Sequence, residues 1–303
     1  MNAKNGTAFI PGSDAGCIAI GTKLYLIGGR ALKPINIFDT ETQTWSEGAT
    51  PPVELHHFQP VNFQGLIYII GAFTGNYPDE KPVPVIYTYN PDLDRWAIGD
   101  SIPAARRRGS AGAVTYNEQI YLVSGIRNGH IGDHKPWLDC YNPADGSWTV
   151  LPDAPQARDH FKAVAVQDTL YLIGGQRSMA EEEATQNAIR EVDAFNLKML
   201  TWNTIDVPFP TPRADCAALV FGDEILIIGG ESKSQSKAHS EVEAFSTTSQ
   251  RWRSFPRMRR GRHGMCAASI DGNIYVPGGC GNRGGYPELE SMEVFYPDSE
   301  SGK

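Results

Sequence analysis

The sequence predicts an all-β protein built from six copies of one four-stranded unit. Three observations carry this prediction: a turn-rich composition with 31 Gly and 21 Pro in 303 residues, a hairpin pattern that ends in a glycine doublet, and an aromatic residue followed at fixed spacing by tryptophan. The patterns recur about every fifty residues, a period typical of repeat architectures. Short strands joined by many turns favour an all-β class over alternating helices and strands.

The first two strands of each unit are predicted by six segments that align without a gap. Each segment consists of two apolar, β-rich runs separated by a two-residue turn such as Asp271-Gly272, which indicates a tight hairpin. The segments end at the glycine doublet or its replacement, at Gly29, Ala72, Gly125, Gly175, Gly230 and Gly279.

The third and fourth strands are predicted by the aromatic spacing. The third strand ends at Phe38, Tyr89, Tyr141, Phe195, Phe245 and Phe295, and tryptophan follows seven residues later at Trp45, Trp96, Trp148, Trp202 and Trp252. The sixth copy has Gly302 at that position, so its fourth strand must come from elsewhere. Residues 7–11, "TAFIP", match "WTVLP" of the third copy. We therefore expect the N-terminal segment to complete the last unit and close a ring.

Together, the glycine doublet, the aromatic–tryptophan spacing and four strands per copy resemble the kelch repeat. This resemblance implies a six-bladed kelch-type β-propeller, with four-stranded blades around a central channel. Periodicity supports the same arrangement, because one such sheet cannot bury both apolar faces unless it packs against neighbours. We expect residues 1–303 to form this single propeller domain.

Composition limits the classes of partner and the cellular location. A net charge of −8 and the absence of a continuous basic stripe disfavour nucleic acid, and no run is apolar enough to span a membrane. Five cysteines without CxxC spacing argue against a disulfide framework or a zinc ribbon. We expect a soluble, cytoplasmic monomer with buried, reduced thiols.

One face of the predicted ring carries the long, varied loops, together with the segments that enter each innermost strand. Loops of this kind on a rigid frame commonly bind ligands. Seventeen residues before the end of each doublet, four of the six copies place an arginine, at Arg108, Arg158, Arg213 and Arg262. Related kelch adaptors bind acidic peptides with arginines from this face, so the resemblance implies that these side chains meet an anionic ligand. The alternative is that they hold loops in place.

Histidine and aspartate occupy the next two columns of the repeat. His56 and His263 fall in the first of them, and Gln59 and Lys162 extend this polar lining a few residues later. The second column contains Asp14, His57, His160 and Asp215, which pseudo-sixfold placement sets at one height around the channel. Imidazole and carboxylate suit zinc, iron or manganese, so we predict a divalent metal held by these four residues. A hydrogen-bonded polar plug is the alternative.

Two function classes follow. The preferred hypothesis is a binding module whose Arg/His-rich loop face captures an acidic peptide or an anionic small molecule. The alternative is a small-molecule enzyme that uses the His/Asp layer on a sugar-like substrate, as an isomerase or a metal-dependent lyase or oxidoreductase. The familiar catalytic motifs, such as GxSxG or HExxH, are absent from the sequence.

Overall fold

Six antiparallel sheets, one for each sequence repeat, surround a central axis in the computed structural model, which describes residues 12–179 and 188–297. The predicted six-bladed β-propeller is confirmed. In every sheet the first strand lies nearest the axis, where it contacts the first strands of neighbouring blades. The loops that enter these first strands, and those between second and third strands, open on one face, which we call the mouth.

Blades 1 to 3 contain the first fourteen strands. Blade 1 consists of β1 (Ala15–Ile20), β2 (Lys23–Gly28), β3 (Ile35–Asp39) and β4 (Thr44–Gly48). Blade 2 consists of β5 (Val61–Phe63), β6 (Leu66–Ile69), β9 (Val85–Asn90) and β10 (Arg95–Ser101), with the small hairpin β7 (Phe73–Thr74) and β8 (Lys81–Pro82). Blade 3 consists of β11 (Gly112–Tyr116), β12 (Gln119–Val123), β13 (Leu138–Asn142) and β14 (Ser147–Leu151).

Blades 4 to 6 repeat the same order. Blade 4 consists of β15 (Lys162–Val166), β16 (Thr169–Ile173), β17 (Val192–Asn196) and β18 (Thr201–Ile205). Blade 5 consists of β19 (Ala217–Phe221), β20 (Glu224–Ile228), β21 (Val242–Ser246) and β22 (Arg251–Phe255). The described part of blade 6 consists of β23 (Ala268–Ile270), β24 (Asn273–Pro277) and β25 (Met292–Phe295). The predicted closing segment, residues 7–11, lies outside the described residues.

The apolar cores lie between blades. One core joins Val123 and Leu138 of blade 3 to Leu170 and Phe195 of blade 4, and each of these side chains is fully buried. The aromatic and tryptophan columns meet as direct cross-strand pairs on the outer strands, for example Phe195 and Trp202 with ring centroids 4.9 Å apart. Such pairs stabilise a sheet beyond the area that they bury. The spacing of the two columns therefore records the register of strands three and four.

A disulfide joins the first and last blades. Cys17 on β1 bonds Cys266, just before β23, with Cα atoms 5.5 Å apart and a sequence separation of 249. The expectation of reduced thiols is therefore wrong for this pair, while Cys140, Cys216 and Cys280 are buried and unbonded. Disulfides persist mainly in oxidising compartments, so the cysteines no longer support a cytoplasmic location. That location stays a prediction.

Helix is almost absent from the described residues. One 3₁₀ turn spans Ala104–Arg106. The search of the described residues for a helix long and apolar enough to cross a membrane finds none.

Candidate functional site

Backbone hydrogen bonds form a ring at the channel mouth through the second predicted His/Asp column. The N–H of Asp14 donates to Gly264 O, that of His57 to Asp14 O, and that of Ser110 to His57 O, at 2.8 to 2.9 Å. On the other side, Asp215 N–H donates to His160 O at 2.7 Å, and Gly264 N–H to Asp215 O at 3.2 Å. Between blades 3 and 4 the Ser110 hydroxyl replaces a carbonyl and accepts from His160 N–H at 2.9 Å.

The ring explains the composition of this column. All six residues have a positive φ, between 51° and 62°. Among non-glycine residues, aspartate, asparagine and histidine tolerate this left-handed conformation best, and glycine adopts it freely. The column therefore selects Asp, His, Ser or Gly for backbone reasons, which neither the predicted metal site nor the alternative of a polar plug took into account.

A cleft of ≈ 700 Å³ lies above the ring and is open to solvent. All six blades contribute to its wall, in which most side chains are polar or charged and Tyr77 supplies an aromatic ring. The charged and imidazole groups among its lining residues are Asp14, Arg30, His57, His130, His160, Asp215, Glu231, His263 and Arg283. Beneath these side chains, at the level of the ring, the channel contains a second cavity that is about the size of a water molecule. Lys162 is among the residues that line this second cavity.

The four arginines predicted to bind an anion are buried inside their own blades, and this assignment is revised. Arg108, Arg158, Arg213 and Arg262 each have no solvent exposure. Each guanidinium pairs with a carboxylate on the third strand of its blade, at Asp139, Asp193, Glu243 and Glu293. Backbone carbonyls accept most of the remaining donors; Arg158, for example, donates to Gly174 O at 2.9 Å, while Nε of Arg158 and of Arg262 has no partner among the described residues. Because none of the four guanidinium groups reaches solvent, none can contact an anionic ligand in the cleft.

A sequence signal for this pairing existed. The carboxylates stand two residues before the aromatic of the third strand, and the two copies without arginine, at Gly12 and Leu55, have Asn36 and Tyr87 there instead. Arginine and acid therefore occur together in four copies and are missing together in two. This correlation, read across the repeats, would have identified an internal ion pair.

Gln59 and Lys162, predicted as ligand contacts, connect the innermost strands. The Gln59 amide donates to Ala163 O at 2.7 Å and accepts from Ala163 N–H at 2.8 Å. The Lys162 ammonium donates to Phe58 O at 2.9 Å. Burial lowers the pKa of Lys162, and the carboxylates of Asp215 and Asp14 oppose this effect. These two side chains plug the channel below the cleft.

All four predicted metal ligands belong to the backbone ring, but their side chains form two separate groups. His57 and His160 lie with their ring centroids 4.7 Å apart, and Asp14 Oδ1 lies 3.4 Å from His57 Nε2. Asp215 instead faces His263, with 3.3 Å between Oδ2 and Nδ1. Within the described residues, two sets satisfy metal-like spacing: His57 with His130 and His160, and Asp215 with Glu231 and His263. The predicted set of four is not one of them.

His263, predicted to contact ligand, is held as a cation on the wall of the cleft. Its Nδ1 faces Asp215, and its Nε2 donates to the carbonyls of Asn282 and Gly284 at 2.8 and 2.7 Å. Although burial opposes the charge, the Asp215 hydrogen bond and the charge of Glu231 raise the pKa of His263 to about 10. Both ring nitrogens therefore carry protons at neutral pH.

His56 is buried behind the ring and contacts His57. Its Nε2 lies 3.0 Å from Gly75 O, and its Nδ1 lies 2.7 Å from Nδ1 of His57. Burial, followed by the charge of Arg30, lowers its pKa. His56 therefore orients His57 and does not reach the cleft.

The sequence analysis missed residues that the varied loops bring to the mouth. His130 reaches the ring from the β12–β13 loop, and its side chain is buried. Glu80, from the loop of blade 2, lies between His130 and Arg30. Tyr77 and Tyr286 remain 59% and 79% exposed at the loop tips. These loops share no register between copies, so the repeat alignment could not place them.

Comparison with known proteins decides the family. A family model described as the KLHDC2/KLHL20/DRC7 Kelch-repeats domain matches residues 64–279, and a Kelch motif model matches residues 13–52. The chain belongs to the kelch-repeat family.

Several Kelch-like proteins resemble the chain along most of its length. Kelch-like protein terF of Aspergillus terreus is 28% identical over 315 residues, covering 97% of this chain and 67% of terF. Kelch-like protein 23 of Homo sapiens is 25% identical over 281 residues, covering 91% of this chain and 46% of that protein. The chain thus spans about two thirds of terF and less than half of the human protein.

Among solved structures, the one titled "Structure of YjhT" aligns with a TM-score of 0.79 over 96% of both chains, at 14% identity. This similarity confirms the propeller fold and carries no further assignment.

Proposed function

We propose that this kelch propeller is a binding module whose mouth cleft captures one small polar molecule. The cleft of ≈ 700 Å³ falls within the range of about 300–1,000 Å³ that is typical of small-molecule sites. The observation that carries the proposal is the convergence of side chains from six blades on one wall. Imidazole, carboxylate and guanidinium groups there offer hydrogen-bond donors and acceptors in all directions.

The charge balance of the cleft favours a hydroxyl-rich ligand over an acidic peptide. Three carboxylates, Asp14, Asp215 and Glu231, line the wall beside two guanidinium groups. One of these, Arg30, already contacts Asp14 and Glu80 at 2.9 and 3.0 Å. Because the four column arginines are buried, and because Arg30 and His263 already contact carboxylates of the site, this face offers an acidic peptide no excess of positive charge. An anionic small molecule stays within the proposal if Arg30 or Arg283 receives its charge.

The enzyme alternative receives less support from the same groups. The Asp215–His263 pair is the arrangement best placed on the cleft wall for proton transfer. Burial opposes the negative charge of Asp215, but the hydrogen bond with His263 and the charges of His160 and His263 lower its pKa to about 2, while the pKa of His263 is raised to about 10. Proton transfer in catalysis works best when the pKa lies near the working pH. The pair therefore suits a fixed ionic contact better than a proton relay.

A thermal-shift panel on the EDTA-treated full chain tests the proposal. Its probes are glucose, glucuronate, glycerol 3-phosphate, citrate and a glutamate-rich peptide, with calorimetry on any compound that raises Tm. We expect a small polar compound to raise Tm by linkage. Tyr77→Ala should weaken its binding about threefold to tenfold, since ring contacts contribute about 0.5–1.5 kcal/mol.

Glu41→Gln is the matched control, because Glu41 is exposed in the β3–β4 turn on the opposite face. It should bind like the unaltered protein. Binding of the peptide alone, or no shift from any small compound, would overturn the proposal.

A further inference from the structure

Three buried imidazoles meet at the floor of the cleft. His57 and His160 come from the ring, and His130 reaches them from the β12–β13 loop; their exposures are 5%, 6% and 7%. One ring nitrogen of each lies within 4.8 Å of the other two. The ring centroid of His130 lies 5.2 Å from that of His57 and 4.8 Å from that of His160, and the ring planes are steeply inclined to one another. This arrangement differs from stacking, in which the rings would lie parallel.

Two of these rings have a buried carboxylate beside Nδ1. Nδ1 of His160 contacts Asp159, whose other contacts include the Ser178 N–H at 3.0 Å. Nδ1 of His130 lies 2.9 Å from Glu80 Oε1. Both carboxylates have no solvent exposure. A carboxylate beside Nδ1 places a proton there, so each Nε2, when it carries no proton, presents its lone pair to the other ring.

The third ring is fixed by a chain of hydrogen bonds that starts at Gly75. Because the Gly75 carbonyl can only accept, Nε2 of His56, 3.0 Å away, must carry the proton. Nδ1 of a neutral His56 is then an acceptor, and Nδ1 of His57 donates to it across 2.7 Å. His57 Nε2 is therefore also left with a lone pair. It faces Asp14 Oδ1, another acceptor, at 3.4 Å.

Nitrogen lone pairs that face one another in a buried site need either a proton or a metal ion between them. Nε2 of His130 and Nε2 of His160 are only 3.0 Å apart. One proton could bridge these two atoms, but it would leave the lone pair of His57 opposite the Asp14 carboxylate. A single metal ion can satisfy all three nitrogens, since bonds of about 2.0–2.1 Å in a tetrahedral site set nitrogens about 3.3 Å apart.

We propose that His57, His130 and His160 bind one divalent transition metal through Nε2, with the remaining coordination position facing the cleft. Imidazole donors select zinc, iron, nickel, cobalt or copper over magnesium and calcium. Glu80, Asp159 and His56 would act as the outer partners that orient metal-bound histidines. Three histidines plus an open position is the pattern of a metal that can bind a ligand from the cleft.

The second cluster on the wall does not fit a metal. Both nitrogens of His263 must carry protons, because each of them faces hydrogen-bond acceptors. Nδ1 faces Asp215, and Nε2 faces the carbonyls of Asn282 and Gly284. This ring has no lone pair to offer, and it already supplies the positive charge beside Asp215 and Glu231. The geometry therefore distinguishes one metal site from one internal ion pair.

The metal inference does not depend on which small molecule the cleft binds, and its test uses the metal alone. The full chain is stripped with EDTA, dialysed and titrated with Zn²⁺ against a chromophoric chelator, and Co²⁺ is then added to record its visible ligand-field spectrum. We expect one equivalent of tightly bound metal and a cobalt spectrum of the tetrahedral or five-coordinate type.

Variants identify the ligands. His130→Ala, at a loop position, should lower the zinc affinity at least 100-fold and abolish the cobalt spectrum. Glu80→Gln should lower the affinity about 10- to 100-fold, as outer partners of metal-bound histidines do. His263→Gln is the matched control and should retain both readouts; circular dichroism verifies the fold of each variant.

The inference is overturned if the stripped chain binds no stoichiometric zinc, as expected if a shared proton occupies the site. Equal binding by His130→Ala and the unaltered protein, or an equal loss in His263→Gln, would also overturn it. Since the small-molecule panel uses EDTA-treated protein, failure of one test is distinguishable from failure of the other.

Discussion

The N–H of Asp14 donates to the carbonyl of Gly264 at 2.8 Å, and this bond connects the first repeat to the last at the channel mouth. It is one member of the six-residue ring, in which each residue has a positive φ. The Cys17–Cys266 disulfide joins the same two blades a few residues deeper in the channel. Ring closure among the described residues therefore rests on hydrogen bonds and a covalent bond near the axis.

Ser110→Ala should destabilise the ring at the point where a side chain replaces a carbonyl. The hydroxyl of Ser110 accepts from the buried His160 N–H at 2.9 Å. Its loss leaves that donor unsatisfied, at a cost of about 1–3 kcal/mol in the free energy of unfolding. Urea denaturation measures the change. Ser254→Ala, at an exposed strand position, is the control, and equal stabilities of the two variants would contradict the role assigned to the ring.

Arg158→Leu should be strongly destabilising, because it leaves the Asp193 carboxylate buried without its partner. Arg158 donates to Asp193 Oδ2 at 2.5 Å, and both side chains are fully buried. Breaking one partner of such a pair costs about 3–5 kcal/mol, whereas replacing both by apolar residues is often neutral. The double variant Arg158→Leu, Asp193→Leu should therefore recover much of the loss in a denaturation cycle. If Arg158→Leu instead keeps full stability and loses only ligand binding, the arginine column belongs to the ligand site.

Removing the disulfide should lower stability without changing the fold. Replacing Cys17 and Cys266 by Ala opens a loop of 249 residues, and loss of a native disulfide typically costs about 2–5 kcal/mol. The unaltered protein should lose a similar amount on addition of a reducing agent, while the double variant should not respond to it. Peptide mapping under non-reducing conditions should recover the Cys17–Cys266 pair. Two free thiols at these positions in the oxidised protein would refute the prediction.

The aligned columns of the repeat predicted the features that all blades share. The remaining features depend on contacts that an alignment of the copies does not contain. The strand order within each blade and the closed arrangement of six blades follow from the repeat spacing, because every blade packs against its neighbours in the same way. The buried arginines required a comparison of two distant columns. Cys17 and Cys266 stand in neighbouring columns of the alignment but in different blades. Because the alignment relates only equivalent positions, it could not show that these two residues lie close together. His130 lies on a loop that exists once, so its approach to His57 and His160 depends on tertiary structure alone.

The protonated state of His263 should make stability fall as the solution becomes alkaline. The groups that face this ring are the carboxylates of Asp215 and Glu231 and the carbonyls of Asn282 and Gly284, while Lys162 and His160 lie beside Asp215. These partners raise the folded-state pKa to about 10. The unfolded chain has an ordinary histidine pKa of about 6.5.

The folded-state pKa exceeds the unfolded one, so this contribution to stability is complete below about pH 6.5 and is lost as the pH rises towards about 10. Within that window the free energy of unfolding should decline by up to about 1.4 kcal/mol per pH unit, and by a few kcal/mol in total. His263→Gln keeps a hydrogen-bonding side chain without a titratable proton, so its stability should be lower at pH 6 and much flatter across the window. Denaturation of both proteins at matched pH values isolates the effect from lysines, tyrosines and thiols, which titrate equally in each. Parallel pH profiles for the two proteins would show that His263 is neutral in the folded state, and its two nitrogens would then need a different assignment of donors.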